Sequence, residues 1–253
     1  MDYNGLLNLG TELGCQLMAS GAEISRVEDS IQRLMQAYGI SNAHVFAIPN
    51  CLMVSLTPPT GEPITRICRI PAHGTDLDHL ELCNALCRTL CQDTPPLEQA
   101  LAQVSLVPDG RPIYSDRAII LGHFLVGAFF TPFFGGNLLD SLCGGLCGVS
   151  IALSTRLLRH IAGSSAFFRT LLSAAVSSLL AQLLVHFGNA GNADAITVGA
   201  LMLLVPGVSL TTSMREFMAG DMVSGVTRLA ESVLTATAIA LGTGAALALG
   251  QFL

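Results

Sequence analysis

Charged side chains are scarce in the second half of this 253-residue chain, and where they occur they gather. Pro206-Gly207 is followed by Ser209, Thr211, Thr212 and Ser213, then by Arg215, Glu216, Asp221, Ser224, Arg228 and Glu231. Charges this close to an apolar core are costly and usually paired, and arginines there either anchor a segment or bind and gate an anion. Arg228 and Glu231 stand three apart and would share one helix face. Pro206 removes a helical hydrogen bond to the carbonyl of Met202. At bilayer depth the freed backbone groups must face protein or a water-filled cavity, and interrupted helices there form the substrate sites of many transporters. A simple kink is the other reading. Asp140 is a lone carboxylate at the start of another apolar run. It is either a proton site or a group in the outer headgroup layer.

Two other groupings invite a chemical reading. Cys83, Cys87 and Cys91 recur at helical spacing but lack the Cys-x-x-Cys pattern of common zinc sites, so they read as small buried hydrophobes. His73, Asp76, Asp78 and His79 are four ligand types in seven residues, and a solvated helix start capped by Thr75 or Asp76 explains them more simply. No GxSxG, Walker A or HExxH motif is present. An ATP-driven pump and the common hydrolases are therefore unsupported, and neither a metal nor a cofactor is expected.

The elements that position these residues follow from composition. The chain is 51% hydrophobic and 12% charged, against about a quarter charged in a soluble domain. Residues 1–117 hold 20 of the 30 charges. The expectation is a mainly α membrane protein: a small cytosolic α+β domain over residues 1–110, then a five-helix transmembrane bundle over 111–253. Apolar runs near 118–136, 138–155, 170–187, 195–214 and 229–253 are each about the ~20 residues that cross a bilayer. The net charge of −6 argues against a nucleic-acid partner.

Orientation is read from the arginines. Arg111 and Arg117, then Arg156, Arg159 and Arg169, then Arg215 and Arg228 fall in alternate connections. That side should be cytoplasmic, which puts the N-terminus inside and the C-terminus outside. No secretory leader is visible, and a cytosolic location would keep all eight cysteines reduced. Small residues recur every fourth position at Gly144 and Gly148, at Ser173, Ser177 and Ala181, and at Ala238, Gly242, Ala246 and Gly250. Such ridges serve packing inside the bundle or against a second subunit.

In the N-terminal region, residues 4–38 read as two helices separated near Ser20-Gly21, with Gly39 as a stop. Short β-rich runs follow at 44–48, 52–57 and 64–70, with a turn at 58–61. A helix over 76–92 and a short one opened by Pro95 and Pro96 complete the region.

Two of these segments resemble one known family. Gly21-Ala22-Glu23-Ile24-Ser25-Arg26-Val27-Glu28 resembles the N-terminal signature of the threonine/serine exporters. Leu204-Val205-Pro206-Gly207, with Arg215, Gly220-Asp221, Ser224-Gly225 and Arg228-Leu229, resembles their membrane signature. Glu216-Phe217 stands where the family pattern has Asp-Leu, a conservative departure. The resemblance covers nearly the whole chain. Full-length members have roughly twice as many membrane helices, so this chain looks like the split type, whose second membrane half is a separate polypeptide. Members are secondary exporters of small amino acids, and the split type is associated with small dicarboxylates such as succinate.

The resemblance thus implies a non-enzymatic subunit of a bacterial inner-membrane exporter, multi-pass in the lipid bilayer. Its substrate would be a small carboxylate and its partner a second membrane subunit. Pro206, Gly207, Arg215, Asp221, Arg228, Glu231 and Asp140 would bind substrate or gate, with Glu23, Arg26 and Glu28 as the N-terminal signature. The alternatives are a membrane-tethered hydrolase using Glu23, Glu28, His73 or Asp76, and a non-transporting assembly subunit.

Overall fold

A computed structural model describes residues 2–59, 61–71, 74–107, 114–160, 165–188 and 191–251. The chain forms two compact units, Met1–Arg111 with Val208–Leu229, and Pro112–Gly207 with Ala230–Leu253.

The first unit opens with α1 (Tyr3–Ala19) and α2 (Ile24–Ala37). Leu6, Leu9, Leu13 and Leu17 line one face of α1 and are fully buried, as are Ile24, Val27, Ile31 and Leu34 of α2. Each such side chain contributes about 1.5–3 kcal/mol by leaving water. Gly39 ends α2 at a positive φ of 86°, and the Gly39 and Ile40 amides donate back to the Gln36 and Met35 carbonyls. This is the expected glycine stop. Strands β1 (Ala43–Ile48), β2 (Cys51–Leu56) and β3 (Ile64–Arg69) form one antiparallel sheet in that order. Leu52, Val54 and Leu56 point inward at period two. Helices α3 (Leu77–Asp93) and α4 (Leu97–Ser105) follow, with Asp76 Oδ1 accepting the His79 amide at the start of α3.

Cys15 of α1 and Cys68 of β3 are joined as a disulfide. This corrects the expectation that every cysteine stays reduced: the fold brings together two residues 53 positions apart. The other six cysteines lie outside this disulfide. Cys83 and Cys87 sit in the core, and burial pushes the Cys87 thiol up to about 12. A proton therefore stays on that sulfur at neutral pH, as packing requires.

The second unit holds α5 (Asp116–Phe133), α6 (Leu138–His160), α7 (Ala166–Gly188), α8 (Ala193–Leu201) and most of α10 (Met222–Gly250). Among the described residues, three helical stretches are long and apolar enough to cross a membrane: Leu138–Arg159, Ala166–Gly188 and Met222–Gly250. The expected first span is α5, 18 residues long with Asp116 and Arg117 in its opening turn. The expected fourth is broken into α8 and α9 (Gly207–Ala219). Helix α6 shows the inverted polarity of a lipid-facing element. Leu138, Leu142, Leu146, Leu153 and Leu157 are exposed, while Cys147 and Ile151 are buried.

Glycine sets the spacing in this unit. A Cβ on Gly127 would strike the Gly144 carbonyl, and one on Gly148 would strike the His123 carbonyl. Helices α5 and α6 thus pack backbone to backbone as an antiparallel hairpin. The Ala238–Gly250 ridge is filled from within the chain. Ala238 and Ala246 are fully buried, Gly242 meets the Leu171 carbonyl, and Gly250 meets Gln182. Gln182 Nε2 also donates to the Ala246 carbonyl at 3.0 Å. Of the two readings of this ridge, packing inside the bundle is the one seen, because α7 covers it.

Candidate functional site

The first unit brings together the N-terminal signature and the Arg215-to-Leu229 part of the second one. The turn before α2 is pinned at Gly21, which has φ 91° and no room for a Cβ beside the Gly74 carbonyl. Gly74 N–H donates to the Ala19 carbonyl and Asp76 N–H to the Ser20 carbonyl, each at 3.0 Å. Ala22 and Glu23 are thereby held at the start of α2. On the other side, α9 and α10 meet in a tight turn at Gly220, φ 93°. Asp221 N–H donates to the Glu216 carbonyl at 2.9 Å, and the Phe217 ring occupies the space a side chain at Gly225 would need. The spaced glycines of the second signature thus let the two helices fold back on each other.

Two ion pairs result, in different surroundings. Arg228 Nε lies 2.9 Å from Glu216 Oε1, with side chains 10% and 1% exposed. Arg228 Nη2 also donates to the Ala22 carbonyl at 2.7 Å. Burial pushes the Glu216 carboxyl above its ordinary value, and Arg228 and the Ile24 amide oppose that. Arg215 Nη1 lies 2.6 Å from Glu23 Oε1, with side chains 65% and 19% exposed. Arg26 Nε reaches the other Glu23 oxygen at 3.1 Å. A buried pair whose partner is removed costs about 3–5 kcal/mol, and an exposed pair is worth about 0–1 kcal/mol. Arg228 is therefore an anchor and Arg215 an exchangeable contact.

Glu28 Oε1 accepts the Ala47 N–H at 2.8 Å. Burial raises its carboxyl, and the nearby Asp221 raises it further. Glu23, Arg26, Glu28, Arg215, Asp221 and Arg228 thus all belong to one unit. Arg228 pairs with Glu216 across the Gly220 turn, and Glu231 belongs to the second unit. Glu216 is the residue that sequence reasoning passed over. The usable signal was a carboxylate on the far side of the Gly220 turn.

Asp140, Pro206, Gly207 and Glu231 lie in the second unit. Asp140 is buried, and its carboxylate accepts N–H groups from Asn137 at 2.9 Å, Gly191 at 2.8 Å and Asn192 at 3.3 Å. Asn137 Oδ1 in turn accepts the Asp140 N–H, a reciprocal cap. Asp140 therefore ties the start of α6 to the start of α8. Pro206 falls in a true break: α8 ends at Leu201, a tight turn follows, and α9 begins at Gly207.

The hydrolytic candidates are otherwise engaged. Glu23 is held by arginines, Glu28 by a backbone amide, and Asp76 caps α3. His73 lies outside the described residues. Among the described residues no group of three or more His, Cys, Asp or Glu is arranged to hold a metal.

Apolar helices of spanning length, leucine-clad on the outside, are those of a membrane protein. The chain belongs to the ThrE family of threonine/serine exporters, whose profile matches residues 8–250. It is similar to the threonine/serine exporter of Corynebacterium glutamicum, at 22% identity over 98% of this chain and 52% of that protein. It also resembles a protein of Mycobacterium tuberculosis named "Probable threonine/serine exporter", at 23% identity over 94% of this chain and 45% of that one. The chain thus spans about half the length of these relatives. No solved structure matches it.

Proposed function

We propose that this protein is a subunit of a secondary exporter in the bacterial inner membrane, moving a small carboxylate-bearing metabolite. A succinate-like dicarboxylate and threonine or serine are the two substrate types in view. The observation that carries the reading is the complete break at Pro206 between α8 and α9, in a chain of an exporter family. Broken helices leave backbone groups free to contact substrate, and paired repeats place the site at their interface.

In this reading Arg215, open to solvent, attracts the carboxylate, while Arg228 holds the second signature in place. Helix α10 has 29 residues, about 43 Å at 1.5 Å per residue. That exceeds the ~30 Å hydrocarbon layer by about two turns, enough to keep Arg228 near the cytoplasmic surface. The arginine-bearing connections favour an N-terminus inside, a C-terminus outside and five crossings.

The test is metabolite efflux from cells preloaded with succinate or threonine. Cells carrying this chain and its partner should release one of them faster than cells lacking the chain. Equal release sinks the reading.

A further inference from the structure

The first unit contains a cavity of about 230 Å³ floored by Leu17, Val27 and Leu80 and rimmed by Glu23, Arg26 and Arg215. Its size suits a metabolite of a few heavy atoms, below the ~300–1,000 Å³ of drug-sized sites. Two guanidinium groups and one carboxylate leave the rim with one excess positive charge. The N-terminus of α2 adds a partial positive charge at the same place. Glu23 occupies both arginines, yet Arg26 and Arg215 are 75% and 65% exposed. Giving up such an exposed pair costs only about 0–1 kcal/mol. The buried Glu216–Arg228 pair involves none of the three rim side chains.

We infer that this cavity is a carboxylate-binding site, in which the ligand's carboxylate displaces that of Glu23 from Arg215. The inference rests on the carboxylate-exporter reading and gives it a loading site in the first unit. The ligand's second charge decides which carboxylate it is. A dicarboxylate puts its other end on Arg26 and competes with Glu23. An amino acid puts its ammonium on the displaced Glu23 carboxylate.

Isothermal titration of the detergent-purified full chain with succinate and with threonine tests this. Arg215→Gln should weaken the bound ligand by about tenfold or more, with an unchanged melting temperature because the side chain is exposed. Arg215→Lys keeps the charge and loses the bidentate fork, so it should fall between. Glu23→Gln should tighten succinate several-fold if the ligand is a dicarboxylate, and weaken threonine if it is an amino acid; either result supports displacement. The inference is overturned if neither ligand binds, if Arg215→Gln leaves binding unchanged, or if Glu23→Gln alters neither affinity. Binding of this pattern in a chain that gives no efflux would remove the exporter reading and leave the site. Efflux without Arg215-dependent binding would do the reverse.

Discussion

Arg228 Nε and Glu216 Oε1 face each other at 2.9 Å across the Gly220 turn, with almost no water at either side chain. One pair thereby closes the α9–α10 hairpin and, through the Ala22 carbonyl, holds the start of α2. Arg228→Ala leaves a carboxylate buried without its counterion, at a cost of about 3–5 kcal/mol. The expected outcome is a large drop in melting temperature and poor yield. This differs from the outcome expected of a purely substrate-binding arginine, which is lost export in a well-folded protein. Pairing Arg228→Met with Glu216→Leu should recover much of the stability.

Glu28 supplies a pH test. Its carboxyl is raised from 4.5 by burial and by Asp221, so the folded state holds its proton to higher pH than the unfolded state does. Stability from this group is present below the unfolded value and is lost as pH rises through the folded one. Glu28→Gln keeps an acceptor for the Ala47 amide and carries no charge. The variant should melt higher than the parent at pH 7, with the difference shrinking toward pH 4. A difference of opposite sign at pH 7 would contradict this environment.

Gly242 packs against the Leu171 carbonyl of the same chain. Gly242→Leu should therefore destabilise this chain by itself, by about 1–3 kcal/mol or more, read as a lower melting temperature without any partner present. A variant stable alone but unable to bind a partner would return the ridge to the outer surface.

Asp140 tests structure against proton transfer. Asn in its place keeps one carbonyl oxygen for three N–H donors and turns an amide donor toward them. Each unsatisfied buried group costs about 1–3 kcal/mol. Asp140→Asn should lower the melting temperature, and the protein that folds should keep the parental pH dependence of efflux. A stable variant with altered pH dependence would restore the proton-site reading.

Much of the local architecture was legible. The α1–α2 break at Gly21, the stop at Gly39, the period-two burial of β2 and the cap at Asp76 all follow from short-range rules. The α5–α6 hairpin likewise follows from Gly135-Gly136 and the Gly144/Gly148 spacing. Glu23 and Arg215 are 192 residues apart, and spacing in the sequence gave no means of joining them. Arg228 illustrates the limit: its buried pairing with Glu216 depends on the fold-back at Gly220, which local spacing does not show. The Ala238–Gly250 ridge was visible as a ridge, while the helix that fills it was not. Cys15 and Cys68 met for the same reason, through tertiary packing of α1 on the sheet.

Release of radiolabelled substrate from proteoliposomes tests the central claim most directly. Vesicles holding this chain together with its partner membrane half, loaded with succinate or threonine, should release one of them down an imposed ion or proton gradient. Vesicles holding either half alone should retain it. Full release by this chain alone would contradict the requirement for a partner, and no release of either substrate by the assembled pair would contradict the exporter account itself.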